Sequence, residues 1–385
     1  MARDSLFGET ILWSGRPKVV ASPPAYKLIS VASGIVAATA LAFAVVVSVG
    51  LGAHVGGLVV FSAWCTTIAL AAWKLPIVWR DGLEFIVTDK HVIWRRGRIR
   101  RSIDRHAVSY AIIRWDPKVN DVGDLTLVRA VPTGALKRTL EVTLPGVVGP
   151  DRLWAIVRDA TVPPPFCHGD LPLAQRLDPG ERVLWSGTPT RTRWSVRRIG
   201  TLGIAALSLL ALVRMGLKAV PSIEKVSALH ALPLPLLSFL IMGVALGALL
   251  LVAVAGIAAY EAAVRPNRIQ KATRYFVTDK RVLIRRGADE LSLDRGRIAD
   301  VIAAPLDPST KVDAEGNVEK TKLHDVYLVL DGPQARAFAS SGAFGGGQEH
   351  DALVPVFTSI EDAESVVALL RSLGDDVPPS LPKAA

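Results

Sequence analysis

Five arginines lie within seven residues of one another in the first half of the chain: Arg95, Arg96, Arg98, Arg100 and Arg101. A second basic group in the second half comprises Lys280, Arg281, Arg285 and Arg286. Guanidinium groups bind phosphate and carboxylate oxygens through paired hydrogen bonds. Near an anionic leaflet, each basic side chain contributes about 1 kcal/mol of binding. We therefore predict a lipid- or partner-binding surface at these residues. The alternative is ordinary charge on solvated hairpin edges, where it also hinders edge-to-edge pairing.

Residue patterns typical of catalysis or metal binding do not accompany these arginines. The seven histidines are scattered and lack the HExxH spacing of a zinc site. Asp89 and Asp279 are interpreted as turn residues, and the glycine-rich run 340–347 lacks the Gly-Lys-Ser/Thr of a phosphate loop. We predict no enzyme activity, no catalytic residue, no cofactor and no metal site. Nucleic-acid binding is not expected either, because no recognised motif is present and the charge lies near predicted membrane ends.

The arginines belong to two similar stretches, FIVTDKHVIWRRG at 85–97 and YFVTDKRVLIRRG at 275–287. Each predicts a β-hairpin, since two runs of apolar and β-branched residues flank a two-residue Asp-Lys loop. The loop would place Val87 opposite Val92 and Phe85 opposite Trp94, on one face of the hairpin. The corresponding four residues of the second stretch are Tyr275, Val277, Val282 and Ile284.

The similarity extends beyond the hairpins. ETILWSGRP at 9–17 returns as ERVLWSGTP at 181–189, an offset of 172, and Ser102-Ile-Asp-Arg105 returns as Ser292-Leu-Asp-Arg295, an offset of 190. Because the order of the matches is kept, we interpret the chain as a duplicated unit. Six strands are predicted in the first copy, near 83–88, 91–96, 99–103, 107–115, 125–131 and 138–144. A helix with apolar residues at helical spacing is expected to close each copy, and Ser359 with Asp362 predicts the N-terminal cap of the second.

Long uncharged tracts indicate membrane spans. Residues 28–73 contain no Asp, Glu, Lys or Arg, and a bilayer core needs about 20 helical residues to cross. This tract predicts two crossings joined by a turn near Gly50–Gly57. In the second copy, Ile199–Val213 and Leu236–Tyr260 are predicted to cross, with a longer loop from Arg214 to Pro235. Neither Cys65, within a span, nor Cys167, in a proline-rich linker, predicts a disulfide.

These observations predict eight segments in order. They are an extended N-terminal segment (1–27), transmembrane hairpin 1 (28–75), a first β domain (80–160), a linker (161–180), the repeated Trp-Ser-Gly segment (181–198), transmembrane hairpin 2 (199–260), a second β domain (268–374) and a disordered tail (375–385). Lysines and arginines flank the outer ends of the first hairpin, whereas its turn has none. By the positive-inside rule, both termini and both β domains are therefore expected in the cytoplasm.

The chain resembles the bacterial PH-domain membrane proteins, a family first catalogued as a domain of unknown function. The Glu-x-x-Leu-Trp-Ser-Gly-x-Pro start and the Thr-Asp-Lys-[His/Arg]-Val core carry the resemblance, once per copy. It implies an α+β membrane protein with two tandem repeats, each a transmembrane helical hairpin followed by a PH-like antiparallel β-barrel or sandwich with a C-terminal helix. It implies seven strands, and we expect Glu9–Trp13 and Glu181–Trp185 to supply the missing one or to cover the hairpin's second apolar face. It brings no catalytic residues.

The resulting functional hypothesis is a non-enzymatic scaffold in the bacterial inner (plasma) membrane. Its PH-like domains would bind anionic lipid headgroups or a membrane or cytoplasmic protein partner, and a homo-oligomer is left open. The alternative is a small transport or channel-associated membrane protein. Pathways through a membrane usually contain polar groups, and the predicted spans contain almost no charged ones.

Overall fold

A computed structural model describes residues 8–18, 24–52, 55–130, 139–163, 177–190, 196–228, 234–305, 311–312, 318–319, 323–330 and 353–372. The predicted tail, Cys167 and most of the predicted linker lie outside these residues. The chain forms two compact units. A β unit contains residues 1–20, 82–193 and 267–385, and a helical unit contains residues 21–81 and 194–266.

The elements of the first half are β1 (Ile11–Gly15), α1 (Pro24–Leu51), α2 (Gly56–Asp81), β2 (Glu84–Thr88), β3 (His91–Arg96), β4 (Ile99–Asp104), β5 (Tyr110–Trp115), β6 (Val122–Ala130), β7 (Thr139–Val148) and α3 (Pro150–Val157). Those of the second half are β8 (Val183–Gly187), α4 (Val196–Ala228), α5 (Leu234–Ala259), α6 (Arg265–Ala272), β9 (Thr273–Thr278), β10 (Arg281–Arg286), β11 (Asp289–Asp294), β12 (Ile298–Pro305), β13 (Lys311–Val312), β14 (Val318–Glu319), β15 (His324–Leu330), β16 (Val356–Ile360) and α7 (Ala363–Ser372).

Four helical stretches of the helical unit are long and apolar enough to cross a membrane: Ala25–Gly50, Gly56–Asp81, Arg198–Lys225 and Gly243–Ala272. The fourth runs from α5 into α6 through a π-helical turn at Tyr260–Val264. The predicted loop at 214–235 is wrong over most of its length, since α4 continues to Ala228. Leucine, lysine, alanine and methionine are good helix formers. The helix therefore continues past its apolar part, through Lys218 and Lys225.

Side-chain hydrogen bonds join α1 to α2. Ser62 donates to the carbonyl of Ala37 (2.8 Å), and Ser30 donates to that of Ala69 (2.9 Å). On α1, Ala37 and Ala44 are buried, at a spacing of seven. Residues seven apart lie on nearly the same face of a helix, so Ala37 and Ala44 belong to one face of α1.

β1 to β4 form a four-stranded antiparallel sheet in the order β1-β2-β3-β4. Phe85 pairs with Trp94 and Val87 with Val92, so the predicted register is confirmed. β1 pairs with β2, and β8 pairs with β9 in the same way. The prediction that the segments containing the Trp-Ser-Gly motif supply a strand is confirmed, and each strand begins two residues later than expected. This strand makes seven in the first head, whereas nine strands are described in the second.

A seven-stranded sheet has the order β7-β6-β5-β11-β10-β9-β8. It combines three strands from the first half of the chain with four from the second, which meet where β5 pairs with β11. A three-stranded sheet, β12-β15-β16, and a two-stranded β13-β14 ribbon complete the described strands. We call the described residues of 8–18 and 82–163 the first head, and those of 177–190 and 267–372 the second head.

Each head has its own hydrophobic core, and β5 contributes to both. Ala111, Ile113 and Trp115 of β5 lie in the core of the first head. The alternate residues Tyr110 and Ile112 pack into the core of the second head, as the period of two in a strand requires. β5 therefore presents apolar side chains to both cores.

The closing helices pack as their apolar spacing predicts. Leu153 and Val157 of α3 lie in the first core, and Val366 and Leu370 of α7 lie in the second. The predicted cap at Ser359 is wrong. That residue lies in β16, where its backbone N–H donates to Asp325, and α7 begins only at Ala363.

Candidate functional site

The arginines of the first head surround the turn between β3 and β4. Gly97 makes this turn possible because its φ is +54°, in the left-handed region that favours glycine. In register, Arg95 lies opposite Arg100, and Trp94 lies opposite Arg101. Like charges directly opposite each other destabilise a sheet. One ion pair relieves this partly, with Arg95 Nε 3.6 Å from Glu84 Oε2.

β4 itself is exposed along almost its whole length, with only Ile103 buried. The side chain of Ile99, which lies between Arg98 and Arg100 in the sequence, is 52% exposed. The sheet order ends at β4, so its outer edge has no partner strand among the residues that the structure describes. The site is thus an open, arginine-rich edge with an exposed aliphatic residue at its turn.

Acidic residues accompany the arginines at the same positions of the second head, where Arg274 also lies opposite Arg285. Arg285 lies opposite Glu290, and Arg286 lies opposite Asp289. Where β4 has Ile99, Arg100 and Arg101, β11 has Asp289, Glu290 and Leu291. The outer edge of β11 is covered by β5, and the residues from Glu290 to Leu293 are buried.

Lys280 and Arg281 do not join Arg285 and Arg286. They lie at the other end of β10, about 17 Å away by the rise of a strand. Arg281 is only 6% exposed, and its guanidinium donates to both carboxylate oxygens of Glu181. Lys280 Nζ donates to the carbonyl of Pro179 at 2.9 Å. The structure therefore separates the predicted second basic group. Arg281 points inward and has a structural role, Lys280 lies at the same end of the hairpin, and Arg285 and Arg286 lie beside the turn at Gly287.

Sequence reasoning missed the contacts that explain the repeated motifs. In the first head, Glu9 accepts hydrogen bonds from the Thr88 hydroxyl (2.6 Å) and pairs with His91 Nδ1 (2.9 Å). These bonds lower the pKa of Glu9, with the Thr88 bond the larger cause and the His91 contact the smaller.

Glu181 holds the equivalent turn of the second head through Thr278 (2.6 Å) and Arg281 (2.9 Å). The signal available in the sequence was the glutamate that begins each repeated motif, Glu9 in the first copy and Glu181 in the second. Both motifs thus stabilise the Asp-Lys turn.

The tryptophans of the Trp-Ser-Gly segments pack against the heads. Trp13 packs on the first core and Trp185 on the second, where Trp185 also stacks on Phe357 with ring centroids 5.7 Å apart. A Cβ on Gly15 would lie 2.5 Å from the Trp13 ring, and one on Gly187 would lie 2.4 Å from that of Trp185. Each glycine is needed because the ring folds over it.

Polar contacts across the pairing of β5 with β11 join the two heads. Arg114 Nε lies 2.9 Å from Asp289 Oδ1, and Trp154 Nε1 donates to Ser292 Oγ at 3.1 Å. The Arg158 guanidinium is 7% exposed and contacts Asp178 and Asp294 of the second head. The heads are therefore joined by a sheet, an indole hydrogen bond and a buried charge cluster.

Among the described residues, no group of three or more His, Cys, Asp or Glu side chains could hold a metal ion. Comparisons with protein-family models, with curated proteins and with solved structures found no match for this chain. The candidate site is accordingly defined by geometry and charge alone, as the exposed edge formed by β4 and its turn with β3.

Proposed function

We propose that this chain is a non-enzymatic integral membrane scaffold whose heads bind anionic lipid headgroups, with the arginines of the β3–β4 turn as the binding residues. In this proposal the protein lies in the bacterial inner (plasma) membrane, with its termini and two tandem PH-like heads in the cytoplasm. The observation that carries the proposal is the excess of positive charge at this turn, where Arg100 and Arg101 stand at the positions that Glu290 and Leu291 occupy in the second head.

The electrostatics support an anionic ligand. Bringing two guanidinium groups together on one sheet face is unfavourable. Each head has one such pair, Arg95 with Arg100 and Arg274 with Arg285, but β11 adds Asp289 and Glu290 whereas β4 adds Arg100 and Arg101. A phosphate bound at the turn would supply negative charge and would accept charge-assisted hydrogen bonds from the arginines. At about 1 kcal/mol for each arginine near an anionic leaflet, the five arginines would contribute roughly 5 kcal/mol.

The position of the turn along the chain supports a lipid as the source of that phosphate. Gly82 directly follows Asp81, the last residue of a helix apolar enough to cross a membrane. A Cβ on Gly82 would lie 3.3 Å from Arg96 Nε, so Arg96 lies beside the first residue of the head. The exposed aliphatic side chain of Ile99 is suited to contact with the apolar part of an interface.

The arrangement of strands supports the PH-like assignment. In the first head, four strands form one sheet, three strands from the same half belong to another, and a helix follows. The first four strands of the second head have the same order and the same hairpin register. Both points agree with the family resemblance and with duplication of one unit.

The test measures lipid binding by the full chain in a neutral detergent, using soluble short-chain lipids and titration calorimetry. Dihexanoyl phosphatidylglycerol is expected to bind at least 10-fold more tightly than dihexanoyl phosphatidylcholine. The quadruple variant Arg95→Gln, Arg98→Gln, Arg100→Gln, Arg101→Gln should lose this preference. The matched variant Arg285→Gln, Arg286→Gln should keep it, because acidic residues lie opposite those arginines.

Equal binding of the two lipids by the wild type would contradict the proposal, as would retention of the preference by the quadruple variant. Inorganic phosphate in a separate titration distinguishes a free anion from a lipid, since the proposal requires the lipid to bind more tightly. A protein partner is a second candidate, and the open edge of β4 is the observation that favours it.

A further inference from the structure

The pairing of β5 with β11 is an example, within this chain, of a strand added to the edge of a four-stranded sheet. β8 to β11 have the same order as β1 to β4, and β5 continues that sheet beyond β11. Arg114 lies opposite Asp289 in this pairing and forms an ion pair with it. An added strand here is therefore matched to the edge by opposite charge as well as by backbone hydrogen bonds.

The geometry of that pairing identifies the backbone groups that face outward on β4. Trp115 N–H donates to the carbonyl of Ala288 at 3.0 Å. In an antiparallel pair, the hydrogen-bonded residues alternate, so Glu290 and Ser292 direct their backbone groups toward β5. The residues at the same register positions in the first head are Arg100 and Ser102. Their N–H and C=O groups line the open edge.

A second copy of this chain is a poor match for the edge. A 3-10 turn precedes β5 at Arg105–Ala107, and the equivalent 3-10 turn of the second head, Arg295–Arg297, precedes β12. The same register would place Ile302 of β12 opposite Arg101, where the joined heads have Ile112 opposite Leu291. Leu291 is completely buried, and an arginine buried there beside an isoleucine would lack a counter-charge. The edge of β4 is therefore suited to a strand that carries acidic side chains.

We propose that the open edge of β4 binds an extended acidic segment of a protein partner, which adds to the sheet as a fifth strand beside β4. Backbone hydrogen bonds to Arg100 and Ser102 supply affinity, and carboxylates on one face of the added strand, beside either Arg100 or Arg101, supply specificity. This assignment goes beyond lipid binding, because it requires the backbone of β4 and not only its arginine side chains.

The experiment uses the full chain in nanodiscs of neutral phosphatidylcholine, so that no anionic lipid competes. The probe is a fluorescein-labelled seven-residue peptide that alternates glutamate and valine, and binding is followed by fluorescence anisotropy. A control peptide of the same sequence carries N-methyl groups on alternate residues, which removes edge hydrogen bonds and keeps the charge. The proposal predicts that the parent peptide binds at least 10-fold more tightly than the N-methylated one.

Two variants test the edge of the protein itself. Ser102→Pro removes an outward N–H and is expected to weaken peptide binding at least 10-fold, while Ser102→Ala leaves it unchanged. Ser102→Pro should leave dihexanoyl phosphatidylglycerol binding unchanged. The double variant Arg100→Glu, Arg101→Glu is expected to prefer a peptide that alternates lysine and valine. A thermal unfolding curve for each variant shows whether the head is folded; if Ser102→Pro fails to fold, the N-methylated peptide decides the backbone question.

Several outcomes would overturn the proposal. Equal binding of the parent and N-methylated peptides would mean that the arginines attract charge without strand pairing, as lipid binding alone requires. Failure of the double variant to prefer the lysine peptide would exclude a role for Arg100 and Arg101 in specificity. Absence of peptide binding by the wild type would reject the strand site and leave lipid binding to be judged by its own titration.

Discussion

β4 in the first head and β11 in the second have the same register and opposite surroundings. β11 is acidic at its start, buried along its middle and covered by β5. β4 has Arg100 and Arg101 where β11 has Glu290 and Leu291, and β4 is exposed. The same arrangement of strands therefore has a different role in each head. In the second head the edge joins the heads into one unit, and in the first it remains available to a ligand.

Exchange of one side chain between the two edges should produce the largest effect. Leu291→Arg places a charge where the native residue is completely buried, and the effective penalty for burying one ion is several kcal/mol. Arg101→Leu, on the exposed strand, is expected to change stability by no more than about 0.5 kcal/mol. Chemical unfolding of the full chain in detergent measures both. Similar losses in the two variants would contradict the contrast between the edges.

The buried charge cluster between the heads offers a second comparison. Arg158→Ala removes one of the two buried guanidinium groups beside Asp178 and leaves Arg281, 3.5 Å away. Breaking a buried ion pair costs up to about 3–5 kcal/mol. Arg371 near the end of α7 is 62% exposed and 3.9 Å from Asp300. Arg371→Ala should cost about 0–1 kcal/mol. Unfolding midpoints at fixed pH and salt provide the test, and equal shifts would show that Arg158 does not stabilise the union of the heads.

The smallest expected effect concerns acid. The folded-state pKa of Glu9 lies below its ordinary value, chiefly because Thr88 donates to the carboxylate. Its stabilising contribution is therefore complete above the unfolded value of about 4.3 and is lost as pH falls through the folded value. The difference in melting temperature between the wild type and Glu9→Gln should shrink below about pH 4. A difference that stays constant from neutral pH into that range would contradict the role of the carboxylate.

Local patterns were sufficient to predict the hairpins and the strands that contain the Trp-Ser-Gly motif. The Asp-Lys loop determines that Phe85 faces Trp94, because the alternation of a strand leaves no other register with both residues on the apolar face. The long uncharged tracts likewise indicated the four apolar helices. The end of α4 was misplaced, because charged residues end a bilayer span without ending a helix.

The union of the heads could not be predicted, because pairing between distant strands leaves no local signal. β5 and β11 are separated by more than 170 residues. From the sequence, Arg281 was grouped with the predicted lipid- or partner-binding residues. Only the fold shows that Arg281 is buried against Glu181 and that the acidic edge is the covered one. Of the two predicted basic groups, the fold therefore leaves the arginines of the first head as the exposed one.

The most direct measurement of the central claim is amide hydrogen exchange at matched positions of the two edges, in the full chain in neutral nanodiscs without a peptide. The amides of Glu290 and Ser292 are expected to exchange more slowly than those of Arg100 and Ser102, by on the order of a hundredfold, because only the first pair faces a partner strand. Addition of the glutamate–valine peptide should slow exchange at Arg100 and Ser102. Equal protection at both edges before the peptide is added would contradict an open β4.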